Sequence, residues 1–315
     1  MIAPLFVAAA VAVAPTAVVL SSTGPLRQRV ALTVDGRSWR DVSPPVTGWI
    51  DDATFFDARH GWVVSEDCAA GKGKVARTAD GGRTWHAARF GGHSCSAGSE
   101  FGLDFADAWH GWIVDAEASG GFARLWRTTD GGRSWRLLLE RLPGNGRVRF
   151  RTAREGWLGG YNGLYRSRHG GRQWLRIRGF GRDYGRFAPP RFFGGAGITA
   201  AVSEHTAAAF RTGDGGRHWQ RTLLVPLPRQ PWLFDPLSLS SPQPSVCWLT
   251  VGGRRWSLLF VTSDGGRSWH ERRPLPVDSG PLAAIDGRTA VLPVFRRKHT
   301  IVLVTHDGGR SWRPR

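Results

Sequence analysis

An octet built around Asp-Gly-Gly recurs along this chain and restricts the fold more than any other sequence feature. Residues 128–135 read Thr-Thr-Asp-Gly-Gly-Arg-Ser-Trp. Asp followed by Gly predicts a tight hairpin, because Gly accepts positive φ and the Asp side chain can accept hydrogen bonds from nearby backbone N–H groups. The Trp that ends the octet is large and mostly apolar, so we expect it to pack into a core where the return strand begins.

Seven copies of the octet occur, if two variants are included. The other copies are 78–85, 212–219, 262–269 and 305–312, with variants at 167–174, where His169 replaces Asp, and at 33–39, which is one Gly shorter. The Trp residues that end the copies lie 39 to 50 residues apart, enough for one four-stranded propeller blade per interval. No long stretch has a helical apolar period. We therefore predict an all-β fold, a seven-bladed β-propeller of four-stranded antiparallel blades.

The predicted propeller forms a single domain over residues 1–315. Its blades are predicted at approximately 3–42, 46–90, 97–142, 146–178, 186–225, 232–273 and 280–315. The N-terminal segment, rich in Ala and Val, has a second interpretation as a leader over residues 1–24. No positive charge precedes Arg27, which disfavours a leader. Residues 16–19 precede Trp39 by the same distance at which residues 289–292 precede Trp312, which favours a blade.

The chain is strongly basic, with a formal net charge of +18 and only three Lys among 43 basic residues. Such a surface can attract nucleic acid, anionic lipid or an acidic protein, although an Arg-rich composition alone would also produce it. The Arg residues at equivalent hairpin tips should form a ring on one face, either solvated or as an electrostatic docking rim. They are Arg37, Arg83, Arg133, Arg172, Arg217, Arg267 and Arg310.

Three cysteines are too few for a disulfide framework or a Cys-rich metal site. Cys68 and Cys95 fall in loops that should open on the same face of one blade, so we predict a disulfide between them and an extracytoplasmic or secreted location. Cys247 lies in an apolar run and should be buried. His60 and His110 fall in surface turns, and we predict neither a metal site nor a cofactor.

The octet resembles the Asp-box, or bacterial neuraminidase repeat, and the copies ending at Trp85, Trp135, Trp269 and Trp312 fit every signature position. The phrase Asp-Ala-x-x-Gly-Trp-Val/Ile, at 57–63 and 107–113, is similar to the photosystem II assembly/stability factor family of seven-bladed propellers. The resemblance implies structural roles for the repeated Asp and Trp residues. They are Asp35, Trp39, Asp80, Trp85, Asp130, Trp135, Trp174, Asp214, Trp219, Asp264, Trp269, Asp307 and Trp312.

Proteins with Asp-boxes include sialidases, xyloglucan-active glycosidases, receptors and binding proteins. Sialidases use a Tyr nucleophile and carry an Arg-Ile-Pro phrase that is absent here. The available tyrosines are Tyr161, Tyr165 and Tyr184, and a carboxylate pair could be drawn from Glu66, Asp67, Asp115 and Glu117. Neither set falls in a matching motif, so a sialidase-like glycoside hydrolase is the alternative function and not the preferred one. An electrostatic nucleic-acid binder is a second alternative.

The preferred function is a non-catalytic, monomeric propeller scaffold that binds a protein, peptide or glycan, without a transmembrane span. Long loops on a rigid scaffold are the usual location of binding residues. The two longest inter-blade segments supply the candidates. They are Arg178, Phe180, Arg182, Tyr184, Arg186, Trp232 and Phe234.

Overall fold

The structure is a computed structural model. It describes residues 10–13, 16–22, 28–45, 49–91, 100–116, 123–161, 163–180, 184–227, 237–253, 256–272, 274–296 and 299–315. These residues form seven antiparallel sheets, and in six of them every strand pairs with its sequence neighbour, which makes the sheet a meander. A short 3-10 helix, Cys68–Ala70, is the helical element of the described residues. The all-β prediction is confirmed.

Sheets one to three follow the four-strand pattern. Sheet one contains β1 (Ala10–Val13), β2 (Thr16–Ser22), β3 (Gln28–Thr33) and β4 (Arg40–Asp41). Sheet two contains β5 (Ile50–Phe55), β6 (Gly61–Asp67), β7 (Lys72–Thr78) and β8 (His86–Phe90). Sheet three contains β9 (Glu100–Phe105), β10 (Gly111–Ala116), β11 (Ala123–Thr128) and β12 (Arg136–Leu139).

Sheet four also has four strands, whereas sheet five has five because its first strand is divided. Sheet four contains β13 (Gly146–Phe150), β14 (Gly156–Gly160), β15 (Gly163–Ser167) and β16 (Leu175–Arg176). Sheet five contains β17 (Arg186–Phe187), β18 (Arg191–Phe193), β19 (Ala196–Val202), β20 (Thr206–Thr212) and β21 (Gln220–Pro226). Both β17 and β18 pair with β19, so the innermost strand of sheet five is divided into two segments.

Sheets six and seven return to four strands. Sheet six contains β22 (Leu237–Gln243), β23 (Val246–Gly253), β24 (Trp256–Thr262) and β25 (His270–Glu271). Sheet seven contains β26 (Ala283–Ala284), β27 (Ala290–Arg296), β28 (His299–Thr305) and β29 (Arg313–Pro314).

The prediction of seven four-stranded blades is wrong. In the described residues six sheets are four-stranded blades, and sheet five has five strands. The reason is local: Pro189 and Pro190 follow β17, and Pro lacks the N–H that a continuous inner strand would donate to the ladder. The Thr199 hydroxyl bonds the Ala188 carbonyl oxygen at 2.6 Å where the strand is interrupted.

The sheets are arranged as a ring. At several junctions the innermost strands of neighbouring sheets lie side by side, as β5 does beside β9 and β9 beside β13. Strand β2 of sheet one contacts β5 of sheet two and also β27 and β28 of sheet seven, which closes the ring. Residues 1–9 of the predicted first blade lie outside the described residues. The division into blades of a single domain stays a prediction.

Two faces result from this topology. The turns from first to second strands and from third to fourth strands lie on one face, called here the hairpin face. The second-to-third loops and the links between sheets lie on the other, called here the loop face. The core lies between adjacent sheets, where the second strands are mostly buried: the first five residues of Gly61–Asp67 and of Gly111–Ala116 are all buried.

Candidate binding surfaces

The Asp-Gly-Gly hairpins are held by one recurrent hydrogen-bond pattern. In the copy at 128–135, Asp130 Oδ1 accepts the backbone N–H groups of Arg133 (2.9 Å) and Ser134 (3.0 Å), while Oδ2 accepts the Ser134 hydroxyl at 2.6 Å. The Thr128 hydroxyl donates to Asp130 Oδ1 at 2.7 Å and accepts the N–H of Gly132 at 2.9 Å. The carboxylate therefore acts as a local cap for the turn.

The same arrangement occurs at the other Asp copies. Asp80, Asp214, Asp264 and Asp307 each bond the backbone N–H groups three and four residues ahead, and Asp35 those two and three ahead in its shorter copy. Burial opposes ionisation of Asp130, but bonds from Ser134, Thr128 and Arg133 lower its pKa to about 2. These carboxylates have their acceptor capacity engaged within the turns, which fits a structural role better than a catalytic one.

The hairpin with His169 keeps the turn without the carboxylate. Ser167 Oγ accepts the N–H groups of His169 (3.2 Å) and Gly171 (2.9 Å), as Thr does in the other copies. The N–H of Arg172 bonds the His169 carbonyl oxygen at 3.4 Å. The Ser and the two glycines therefore suffice to form the turn.

The Trp residues that end the octets are half-buried between sheets. They are Trp39, Trp85, Trp135, Trp174, Trp219, Trp269 and Trp312. Trp135, for example, lies with its ring centroid 6.1 Å from Phe90 and 6.0 Å from Phe105. Their position between adjacent sheets agrees with packing rather than with ligand contact.

Arginine side chains surround the hairpin face. All seven hairpin-tip arginines are exposed. Three of them fold back on their own turn, as Arg133 does by donating to the Asp130 carbonyl oxygen at 2.7 Å. Trp109 is 55% exposed on this face, with the Arg133 guanidinium 5.8 Å from its ring. Among the described residues, the hairpin face therefore combines exposed arginines with two exposed aromatic side chains, Phe56 and Trp109.

A Tyr–Arg pair joins sheets four and five on the loop face. Tyr161 is 46% exposed, and the Arg186 guanidinium lies 5.1 Å from its ring centroid. Arg186 Nη1 also donates to Tyr161 Oη at 3.4 Å, and the backbones of the two residues form a β-bridge. Half-buried Tyr184 and exposed Arg178 belong to the same inter-sheet segment. These four residues are called here the loop-face cluster.

The other sequence candidates are distributed differently. Phe180 is buried, with its ring centroid 5.0 Å from Phe187 and 4.9 Å from Phe210, so it packs in the core. Arg182, Trp232 and Phe234 lie outside the described residues. From the sequence, Tyr161 was predicted only as a possible nucleophile. Its position in the loop between second and third strands could have indicated a binding role.

The cysteine prediction also falls largely outside the described residues. Cys95 is not among them, and of Cys68 the backbone alone is described, in the 3-10 helix. The disulfide and the extracytoplasmic location stay predictions, and intact mass with and without reductant would test the first. Cys247 is fully buried, and burial raises the pKa of its thiol to about 12.

A charged cluster crosses the inner strands of sheets two to five. Asp52 Oδ2 accepts the Leu103 N–H at 3.0 Å and Arg147 Nη1 at 2.9 Å. Asp104 accepts the Phe150 N–H at 2.6 Å and lies 3.8 Å from Arg149. Burial raises the pKa of Asp104 and lowers that of Arg149. The Arg147-Val-Arg149 alternation on an inner strand was a sequence signal for this cluster.

Two of the possible hydrolytic carboxylates are committed to contacts with arginine side chains. Asp67 accepts Arg89 Nε at 2.8 Å, and buried Asp115 lies 3.6 Å from Arg124. Glu117 lies outside the described residues. Within the described residues, no group of three or more His, Cys, Asp or Glu side chains is placed to hold a metal ion, and no helix has the length and apolar character needed to cross a bilayer.

Comparison with known proteins supports the class of fold, a β-propeller. No family model and no curated protein matches the chain. Among solved structures, "YCF48 bound to D1 peptide" is 21% identical, with TM-score 0.52, over 86% of this chain and 83% of that one.

YCF48 from Cyanidioschyzon merolae is 18% identical, with TM-score 0.59 and 88% of each chain covered. A GH74 xyloglucanase from Xanthomonas campestris has the same identity and TM-score, over 88% of this chain but 46% of that one. At these identities the likeness extends to the fold.

Proposed function

We propose that this protein is a non-catalytic propeller scaffold, similar in role to YCF48, that binds a peptide segment of a partner protein. The observation that carries the proposal is the pair formed by exposed Tyr161 and half-buried Arg186, which links two sheets on the loop face. Aromatic and Arg side chains held on a rigid framework are the residues that most often dominate protein interfaces. One structural neighbour is itself a complex with a peptide.

The charge of the chain favours an acidic segment. Arg186 can donate to a carboxylate while its plane stays over Tyr161, and Arg178 is exposed on the same inter-sheet segment. The net charge of +18 would accelerate encounter with an acidic partner and make binding weaken with salt. The partner is therefore a peptide with carboxylates near an apolar residue.

Fluorescence anisotropy with a labelled acidic peptide and a basic peptide of equal length tests the proposal. We expect saturable binding of the acidic peptide, weakened about tenfold or more by Arg186→Met, which corresponds to about 1.4 kcal/mol. Arg172→Met is the matched control, because Arg172 is exposed on the opposite face. An equal loss in both variants would indicate non-specific charge attraction and refute the assignment to the loop-face cluster.

The alternatives give different results in parallel assays. Turnover of a fluorogenic sialoside or of xyloglucan would contradict a non-catalytic role. Tight retention of duplex DNA with a steep salt dependence, unaffected by Arg186→Met, would favour the nucleic-acid binder.

A further inference from the structure

Three successive junctions between sheets contain the same aromatic stack. In each, a Trp on the second strand of one sheet is stacked on a Phe at the end of the inner strand of the next, with interplanar angles of 10°, 4° and 29° in chain order. The centroid distances are 3.6 Å for Trp62–Phe105, 3.5 Å for Trp112–Phe150 and 4.3 Å for Trp157–Phe192. The stack therefore fills the junctions of sheets two to five near the hairpin face.

The junction between sheets five and six lacks both rings. Ile198 occupies the Trp position, because it pairs with Arg211 as Trp157 pairs with Arg166. Gly266 confirms this equivalence: an added Cβ there would meet Ile198 at 3.0 Å, as one at Gly132 would meet Trp62 at 3.2 Å.

The Phe position of the same junction is taken by a small residue. Arg149 pairs with Trp157 and is followed by Phe150, whereas Ser240 pairs with Trp248 and is followed by Ser241. Ser241 is buried, and its hydroxyl bonds the Val246 carbonyl oxygen at 2.7 Å. An aliphatic and a hydroxyl side chain thus replace an indole and a phenyl ring.

A cavity of about 300 Å³ is found at this junction. Its apolar wall includes Phe193, Ile198 and Pro244, and its basic wall includes Arg191, Arg211 and Arg267. Pro244 and Arg267 are exposed, so they mark its opening on the hairpin face. The volume is at the lower end of the range of small-molecule sites.

Arg211 lacks the tryptophan ring over which its counterparts at two other junctions lie. Its counterparts Arg127 and Arg166 lie 5.4 Å and 5.3 Å from the ring centroids of Trp112 and Trp157. The Arg211 guanidinium is stacked on no aromatic ring in the part of the chain that the structure describes, and its buried Nε, like that of Arg127, has no hydrogen-bond partner there.

The carboxylate on the cavity wall does not neutralise these arginines. Asp264 accepts the N–H groups of Arg267 and Ser268, the Ser268 hydroxyl at 2.6 Å and the Thr262 hydroxyl at 2.8 Å. Its oxygens are committed to the hairpin. A buried Nε without a partner is unfavourable, and an anion that accepts from it would remove that cost.

We propose that this cavity binds a small aromatic organic anion. Its ring takes the space that the Trp–Phe stack fills at the three junctions of sheets two to five and lies beneath the Arg211 guanidinium, as Trp112 lies beneath Arg127. Its anionic group accepts hydrogen bonds from Arg211 and from Arg267 at the opening. The proposal is independent of the peptide site, which lies on the opposite face.

Isothermal titration calorimetry with indole-3-acetate and benzoate tests this site. Acetate and inorganic phosphate report on charge without a ring, and indole-3-acetamide reports on the ring without charge. We expect the aromatic anions to bind at least about tenfold more tightly than any of these three probes, because ring and charge contacts are both needed.

Ile198→Trp is the decisive variant, because it restores the residue that the repeat has at Trp62, Trp112 and Trp157. It should keep a cooperative melting transition and lose binding of the aromatic anions. Arg211→Met should weaken binding at least about fivefold, whereas Arg217→Met, at an exposed tip outside the cavity, should leave it unchanged.

Failure of wild-type protein to bind either aromatic anion at several millimolar would overturn the proposal. Equal affinity in the wild type and Arg211→Met would also overturn it, and this second comparison holds even if Ile198→Trp does not fold.

Discussion

Two substitutions test how much the hairpin carboxylate contributes to stability. Asp130→Ala removes the carboxylate from one hairpin, and His169→Asp introduces one into the hairpin that lacks it. Asp130→Ala removes an acceptor of two backbone N–H groups and two hydroxyls. The lowering of the Asp130 pKa from 3.8 to about 2 corresponds to roughly 2 kcal/mol before solvent screening. The turn is at the surface, where water replaces part of these bonds, so we expect a loss of about 1–2 kcal/mol.

His169→Asp is the reciprocal change. The new carboxylate would accept the N–H groups of Arg172 and Gln173, but Gln173 lacks the hydroxyl that Ser134 supplies to Asp130. We therefore expect a smaller gain, of about 0.5–1 kcal/mol. Urea unfolding followed by tryptophan fluorescence measures both changes.

The pH dependence separates a carboxylate effect from a general loss of packing. Because the folded-state pKa of Asp130 is below its ordinary value of 3.8, its stabilisation is fully present above that pH and is lost as the pH falls towards about 2. The free-energy difference between the wild type and Asp130→Ala should therefore be constant from about pH 5 to 7 and shrink below about pH 4. A difference that does not change with pH, or a His169→Asp protein that is no more stable than the wild type, would refute the reasoning.

Two further predictions concern the junctions between sheets. Trp112→Phe should reduce the free energy of unfolding by about 2–4 kcal/mol, because it leaves a void and removes the indole N–H that donates to the Gly170 carbonyl oxygen at 3.0 Å. Chemical unfolding measures this loss, and a change below about 0.5 kcal/mol would contradict the prediction. Gly111→Ala should cost about 1–3 kcal/mol, because its Cβ would lie 2.4 Å from the Phe105 ring. Gly102→Ala on the neighbouring strand, with nothing nearer than 3.8 Å, should be neutral or slightly stabilising, and equal melting temperatures for the two variants would contradict the steric argument.

The hairpins could be predicted from the sequence because their chemistry is local. Asp80, Gly81 and Gly82, for example, form the turn with bonds that reach no further than four residues. The antiparallel meander and the ring of exposed arginines follow from repeating that unit. The alternation of strands and turns was readable for the same reason.

Features that depend on contacts between sheets could not be predicted from the sequence. Phe180 was a binding candidate because it lies in a long loop, but the rings of Phe187 and Phe210 enclose it. The Pro pair at 189 and 190 is visible in the sequence. That it divides one inner strand into two segments depends on both segments pairing with β19, which the sequence does not show. The cavity beside Ile198 becomes apparent only when equivalent positions are aligned by strand register.

The ring is fastened unequally, which bears on how it opens. The indoles of Trp62, Trp112 and Trp248 each hydrogen-bond a turn of the following sheet, at 2.8, 3.0 and 3.1 Å. Ile198 can form no such bond, and the buried indole N–H of Trp157 has no hydrogen-bond partner among the described residues. In an array whose units contact only their neighbours, the least strongly bonded junction is the first to separate. Amide exchange should therefore be faster along strands β19 and β22, which face each other at the junction of Ile198, than along β10 and β13 at the junction that Trp112 spans. The ring is then held less tightly on both sides of sheet five than between sheets two, three and four.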